Sequence, residues 1–411
     1  MKRFAAVGVL LALLGHARAQ TPTITTISSA VPAVAFHNVL PPLGDGTAWA
    51  CGGQPTASYT SSPWSLYQTC TRFNLTTGAV VTSYPAFGYG YGHSPAFQRS
   101  SGQIVVFGGM GAVGTAFQML DVVQGWQPSN PTVQAWYHLL STGGLGAGYD
   151  LTAVMLTDTL AIYAGGHGGS STVAPSTTWS RFDLATVDFS TSPPTVNNLP
   201  GLLQNRVYAT AHAISSDAAI FIAGYNYASL ALARRNLDTI EIVSAEGAVT
   251  PFPQRLSAPV RYHSSQRIGG TSKIIEFGGT SDPAPGRPNA IGATNIIDFS
   301  VGTVTHGADM NYPGYHMQSW QCEIGGNVYV YAFAGQSANG TARMVVEAYD
   351  VANNSWSVVG TLTKPSVDHD RIAAVSGKDV WVLAGEDPSI PAPTNWLTHL
   401  DFGGSASCTR K

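Results

Sequence analysis

The chain has 411 residues, of which only 20 are Lys or Arg and 23 are Asp or Glu, for a net charge of −3. An apolar share of 44 % excludes a disordered chain, and the absence of a basic excess argues against nucleic acid or an anionic membrane as partner. The 45 Gly and 25 Pro among so few charges point to a β-rich fold with many turns.

The N-terminus reads as an address. Met1-Lys2-Arg3 is basic, Phe4 to Leu14 is apolar, and Ala17-Arg18-Ala19 offers a small-x-small cleavage pattern. The expected signal peptide is 1–19, which leaves a propeller domain of 20–411 that is secreted and extracellular. Loss of Lys2, Arg3 and Arg18 takes the mature charge to −6. No second apolar run is long enough to span a bilayer, so no membrane span is expected. Cys51, Cys70, Cys322 and Cys408 all survive cleavage, and an even number in an oxidising compartment suggests two disulfides. Three connectivities exist; Cys51–Cys70, which closes a short loop, is the first choice, and Cys322–Cys408 would then hold the tail. Asn74, Asn339 and Asn353 begin N-glycosylation sequons.

Further along, short β-branched runs end again and again in a small doublet. Examples are Ala48-Trp-Ala-Cys-Gly52-Gly53, Ile104-Val-Val-Phe-Gly108-Gly109 and Ile274-Ile-Glu-Phe-Gly278-Gly279. The doublets start at 52, 108, 165, 224, 278, 334 and 384. After each comes an apolar pair that carries an acid or amide: Asn74, Asp121, Asp183, Glu241, Asp298, Asp350 and Asp401. Such a residue at a strand end can accept N–H bonds from the following turn. In some units an aromatic follows, as at Trp356.

Gly-Gly, then Tyr-Asp, then Trp resembles the kelch motif, and the resemblance covers residues 23 to 402. It implies an all-β fold: a seven-bladed kelch-type β-propeller of four-stranded blades, beginning near 36, 92, 149, 208, 262, 315 and 368. A unit of this size cannot bury both faces alone and must stack on its neighbours. Gly224-Tyr225, Ala334-Gly335 and Ala384-Gly385 depart from the doublet, and different turn geometry is expected there. Too few residues follow Asp401 for a last strand, so Thr23–Ile27 is expected to close the ring.

Fifteen residues before each doublet lie His37, His93, Asp150, Ala209, His263, Ser319 and His369; in the sixth unit His316 is the better equivalent. Aromatics often precede, as in Tyr262-His263 and Tyr315-His316. With strand directions alternating, these starts share one face with the d–a loops and the long b–c loops. Tyr91, His93, Asp150, Arg261, Tyr262, His263, His316 and His369 are therefore the candidate ligand-binding residues, at a mouth suited to a sugar or peptide. Repetition also supports a plainer role, hydrogen bonding between blades.

Arg261-Tyr262-His263-Ser264 before a strand and Gly-Gly is similar to galactose oxidase and glyoxal oxidase, secreted enzymes on a kelch-type propeller. That resemblance implies copper on Tyr262 and His263, with His316 or His369 supplying another imidazole, and oxidation of an alcohol or aldehyde. The family's radical cofactor is a Cys cross-linked to a Tyr; Cys51 and Cys322 do not stand at the matching position. G-x-S-x-G, H-E-x-x-H and phosphate-loop patterns are absent. The principal reading is a monomeric binding module without a cofactor, whose partner is an extracellular glycan or protein. A copper oxidase is the alternative.

Overall fold

The computed structural model describes residues 19–33, 37–53, 68–85, 90–92, 94–113, 116–119, 123–129, 134–137, 148–168, 179–180, 183–226, 235–281, 289–367, 373–383, 385–387, 392–404 and 406–409. Tyr91 and Tyr149 belong to this set by backbone alone, and residues 1–18 of the expected leader, His93 and His369 lie outside it.

Among the described residues seven antiparallel sheets of four or five strands follow one another along the chain. Blade 1 contains Asn38–Val39, Thr47–Cys51, Thr69–Asn74 and Val80–Pro85. Blade 2 contains Ala96–Gln98, Ile104–Phe107, Val123–Trp126 and Gln134–Tyr137. Blade 3 contains Thr152–Met155, Leu160–Ala164, Leu184–Asp188 and Thr195–Leu199. Blade 4 contains Thr210–Ala213, Ala218–Ile222, Ile240–Ser244 and Val249–Pro251. Blade 5 contains Ser264–Arg267, Lys273–Phe277, Thr294–Asp298 and Thr303–His306. Blade 6 contains Gln318–Ile324, Asn327–Phe333, Val345–Asp350 and Ser355–Thr361. Blade 7 contains Ala373–Ser376, Asp379–Leu383 and Trp396–Asp401, and its outer strand is Thr23–Ser28 from the other end of the chain. Thr23 pairs with Asp401 and Ser28 with Trp396, so the N-terminal segment closes the ring. The chain is a seven-bladed β-propeller. No helix occurs among the described residues, so none is long and apolar enough to cross a membrane.

Strands are called a to d from the axis outward. Burial is deepest in the middle strands and falls off at the outer one. Strand b of blade 2, Ile104–Phe107, is buried at every position, whereas strand d of blade 1, Val80–Pro85, alternates exposed and half-buried residues. Apolar residues of adjacent blades interlock: Phe107 meets Tyr163 and Phe189 of blade 3 at 5.9 and 6.1 Å. Trp356 of blade 6 meets Phe277 of blade 5 at 5.1 Å and donates from Nε1 to Thr294 Oγ1. Each large apolar side chain buried this way contributes on the order of 1.5–3 kcal/mol, which is why neighbours are needed.

The doublets lock blade to blade. The N–H groups of Gly166, Gly224, Gly279 and Gly335 donate to carbonyls that lead into the next blade: Arg206, Val260, Gly314 and Ser366. A Cβ on Gly165 would stand 2.3 Å from the Arg206 carbonyl oxygen. In blades 4 and 6 the doublet is Ala223-Gly224 and Ala334-Gly335, with φ of +51°, +102°, +57° and +80°. The turn there keeps the left-handed geometry of the Gly-Gly blades, contrary to the expectation of a different one. In blade 4 the doublet starts one residue earlier than the sequence suggested.

The strand-end acids cap the c–d turns. Asn74 Oδ1 accepts from the N–H groups of Thr76 and Thr77, Asp350 Oδ1 from those of Ala352 and Asn353, and Asp401 Oδ1 from that of Gly403. Asp298 Oδ1 accepts from the N–H of Ser300. In blades 3 and 4 the capping residues are Asp188 and Ser244 instead of Asp183 and Glu241, because Asp183 precedes strand c and Glu241 is its second residue.

Both disulfides form, Cys51–Cys70 across strands b and c of blade 1 and Cys322–Cys408. The second places Ser407–Thr409 as a fifth strand on the axis side of blade 6, with Cys322 opposite Cys408.

Candidate functional site

The inner strands surround a cavity of about 700 Å³, lined by residues of all seven blades. The loops that rim it are organised by pairing: Gly148–Tyr149, which leads into blade 3, pairs with His167–Gly168, which leaves its strand b. Gly314–Tyr315 and Gln336–Ser337 pair likewise in blade 6, and Arg261 bridges to Thr280 in blade 5. The d–a and b–c segments therefore share one face.

Two residues before strand a the chain adopts one conformation in four successive blades. Asp150, Tyr208, Tyr262 and His316 have φ of +52°, +58°, +56° and +55°. L-residues of this bulk rarely adopt such a φ, and each pays on the order of 1 kcal/mol for it. The equivalent of Asp150 and His316 in blade 5 is thus Tyr262, not His263, and in blade 4 Tyr208, not Ala209. Counting back from the doublet missed Tyr208 because the blade 4 doublet starts at Ala223, and Tyr262 because the a–b turn of blade 5 is one residue longer than that of blade 3.

The left-handed turn brings these side chains together at the cavity's rim. Their rings form a row with His167: His167 to Tyr208 at 5.3 Å, Tyr208 to Tyr262 at 4.4 Å, and Tyr262 to His316 at 4.0 Å. His167 Nε2 lies 3.0 Å from Tyr208 Oη and 3.8 Å from Asp150 Oδ2. The Arg261 guanidinium stacks over Tyr225 at 4.3 Å and lies 5.2 Å from the Tyr262 ring centre. Loss of solvation pushes the Tyr262 phenol up to about 12, against the pull of Arg261 and the hydrogen bond with Tyr208. Tyr262 is therefore a neutral hydroxyl at any ordinary pH.

His263 lies one step inside and has a different task. Its Nε2 meets Thr210 Oγ1 at 3.0 Å, and burial drives the imidazole down to about 3. Thr210 accepts from Ser265 Oγ at 2.7 Å, which in turn meets His212 Nε2 at 2.7 Å. This His263–Thr210–Ser265–His212 ladder ties blade 4 to blade 5 in the cavity wall. Similar ties join other inner strands: Ser264 Oγ donates to the Met317 carbonyl and Thr152 Oγ1 to the Ala209 carbonyl.

Asp150, Arg261, Tyr262 and His316 thus come together with Tyr208 and His167. Sequence reasoning missed His167, although it directly follows Gly165-Gly166. It also missed the ladder, whose members are far apart in the chain. The side chain of Tyr91 is not among the described ones, so its place in this cluster is not stated.

The described residues do not fit a copper radical centre. Tyr262 faces Tyr208 and His316 while His263 faces Thr210, so the two serve separate partners. All four cysteines are in disulfides, which leaves none to cross-link a tyrosine. Among the described residues no three of His, Cys, Asp or Glu cluster, and His369, the other imidazole named for the copper site, lies outside them.

No family model matches the chain, and no curated protein does. Among solved structures it is similar to that of YjhT, with 12 % identity and a TM-score of 0.53 over 81 % of this chain and 98 % of that one. This likeness concerns the fold alone.

Proposed function

We propose that the chain is a secreted, kelch-type β-propeller that recognises an extracellular ligand, a glycan or a protein, at the rim of its channel. One observation carries this reading. Four blades repeat the same strained backbone at the rim yet present Asp150, Tyr208, Tyr262 and His316. Repetition accounts for the backbone; a purely structural role would not call for an acid, two phenols and an imidazole in a costly conformation. Half-exposed rings beside hydrogen-bonding groups suit recognition.

The kelch assignment is supported by the seven doublets, the turn-capping acids and Trp356. Secretion is supported by the basic–apolar–small order of the N-terminus and by two disulfides. Asn339 and Asn353 are exposed and Asn74 half-exposed, as glycan acceptors must be. No cofactor enters this reading.

The test is a glycan array and an extracellular-protein array probed with the mature chain and with Tyr208→Phe. That change keeps the ring but removes the hydroxyl between His167 and Tyr262. A ligand whose binding falls at least fivefold in the variant supports the site. Binding that ignores the variant, or no binding on either array, refutes it.

A further inference from the structure

We infer that the ligand is a neutral saccharide whose hydroxyls are read by the Thr210–Ser265 ladder in the channel wall. This rests on the recognition reading above and names its ligand class. The ladder carries it first. Ser265 Oγ gives its proton to Thr210, so it must receive one from His212 Nε2; Thr210 Oγ1 meets His263 Nε2 at 3.0 Å. The Ser265 hydroxyl proton is spent within the protein. Ser265 Oγ keeps a lone pair, and Thr210 and Ser265 both line the cavity. The wall therefore offers Ser265 Oγ as an acceptor with a second hydroxyl beside it, which a ligand rich in O–H groups satisfies. A carboxylate or sulfate supplies none.

Charge agrees. Among the described lining residues only Asp150 and Arg267 are formally charged. Asp150 faces His167, and Arg267 donates to the Ala213 carbonyl and lies 5.3 Å from the Phe299 ring centre. Arg261 is stacked on Tyr225. None of these stands as an open fork for an anion, the usual device for binding one. His263 stays neutral because burial keeps it unprotonated down to about pH 3.

A peptide fits less well. An extended peptide would add to the axis edge of an inner strand. Gln318–Ile324 is the longest described inner strand at seven residues, and Ser407–Thr409 already occupies its edge. The others described have two to four residues. The cavity volume suits a short oligosaccharide, and the rim rings can stack on its C–H faces.

Calorimetry with the mature chain tests this, using neutral oligosaccharides, uronic-acid and sulfated oligosaccharides, and a peptide library, each at low and high salt. A neutral oligosaccharide should bind with an affinity indifferent to salt. Ser265→Ala should weaken it about five- to tenfold, one hydrogen bond's worth. Thr210→Val, isosteric at the ladder's other hydroxyl, guards against a Ser265 variant that fails to fold; it should weaken binding several-fold with the fold intact. Binding confined to acidic saccharides or peptides, and lost in Tyr208→Phe, overturns the saccharide class while leaving the rim site standing. Failure to bind any probe overturns both. Neutral-sugar binding that neither Ser265→Ala nor Thr210→Val alters overturns the ladder's role.

Discussion

Two buried residues titrate in opposite directions, and both sit between blades 4 and 5. Burial lowers His263 from 6.5 to about 3 and raises Glu276 from 4.5 to about 8; the hydrogen bond from Asn295 only partly offsets the second. Between pH 3 and 6.5 the unfolded chain holds a proton that folded His263 lacks, so stability rises with pH. Between pH 4.5 and 8 folded Glu276 holds a proton that the unfolded chain has lost, so stability falls with pH. The two slopes offset each other from 4.5 to 6.5. Melting temperature should be flat in that window and decline on both sides. Glu276→Gln keeps an acceptor for Asn295 and should abolish the decline between pH 6.5 and 8; a decline that persists in this variant would refute the assignment. On the acid side, carboxylates such as Asp158 and Asp298, held low by serine hydrogen bonds, steepen the loss.

At the scale of the element, the d–a connection is the part most firmly tied. Arg206 and Glu241 form a buried ion pair, and Glu241 also accepts from the N–H of Leu203. Blade 6 repeats the device: Arg343 pairs with Glu347, which accepts from the N–H groups of Asn311 and Tyr312. Arg206→Leu strands a buried carboxylate and should cost about 3–5 kcal/mol in urea unfolding, whereas Arg206→Leu with Glu241→Leu should cost less. The glycine doublet is the other tie. Gly165→Ala drives a Cβ into the Arg206 carbonyl at positive φ and should cost about 2–3 kcal/mol; a loss under about 0.5 kcal/mol would contradict the packing.

For the whole molecule, the two chain ends hold opposite sides of the ring. Thr23–Ser28 completes blade 7 from outside, and Ser407–Thr409 extends blade 6 toward the axis. Cys408 also donates its N–H to the Gly377 carbonyl, so the tail links blades 6 and 7. Its disulfide spans 86 residues. For a loop of that length the chain-entropy relation predicts about 4.6 kcal/mol. Cys322→Ala with Cys408→Ala should lose roughly that amount, and adding a reductant to this double variant should change stability only through Cys51–Cys70. Equal stability with and without Cys322–Cys408 would show that the tail strand is held by its backbone pairing alone.

The blade count, the ring closure and the pairing of the cysteines were legible in the sequence because each depends on local chemistry or on counting. A Gly doublet marks a turn wherever it occurs, an acid at a strand end caps that turn, and a missing last strand requires one from the other terminus. The rim could be read only in part. Asp150, Arg261, Tyr262 and His316 were placed on the right face by strand alternation alone, since direction reverses at every turn. Which of them stand in register was decided by the tertiary structure, because a–b turns of unequal length shift the count while backbone φ does not. The separation of Tyr262 from His263 has the same origin: adjacent residues at a left-handed turn point to different neighbours. The hydroxyl ladder, the buried Arg–Glu pairs and the protonated Glu276 join residues from different strands or different blades. Only the closed ring brings them into contact and excludes the water that would otherwise satisfy them.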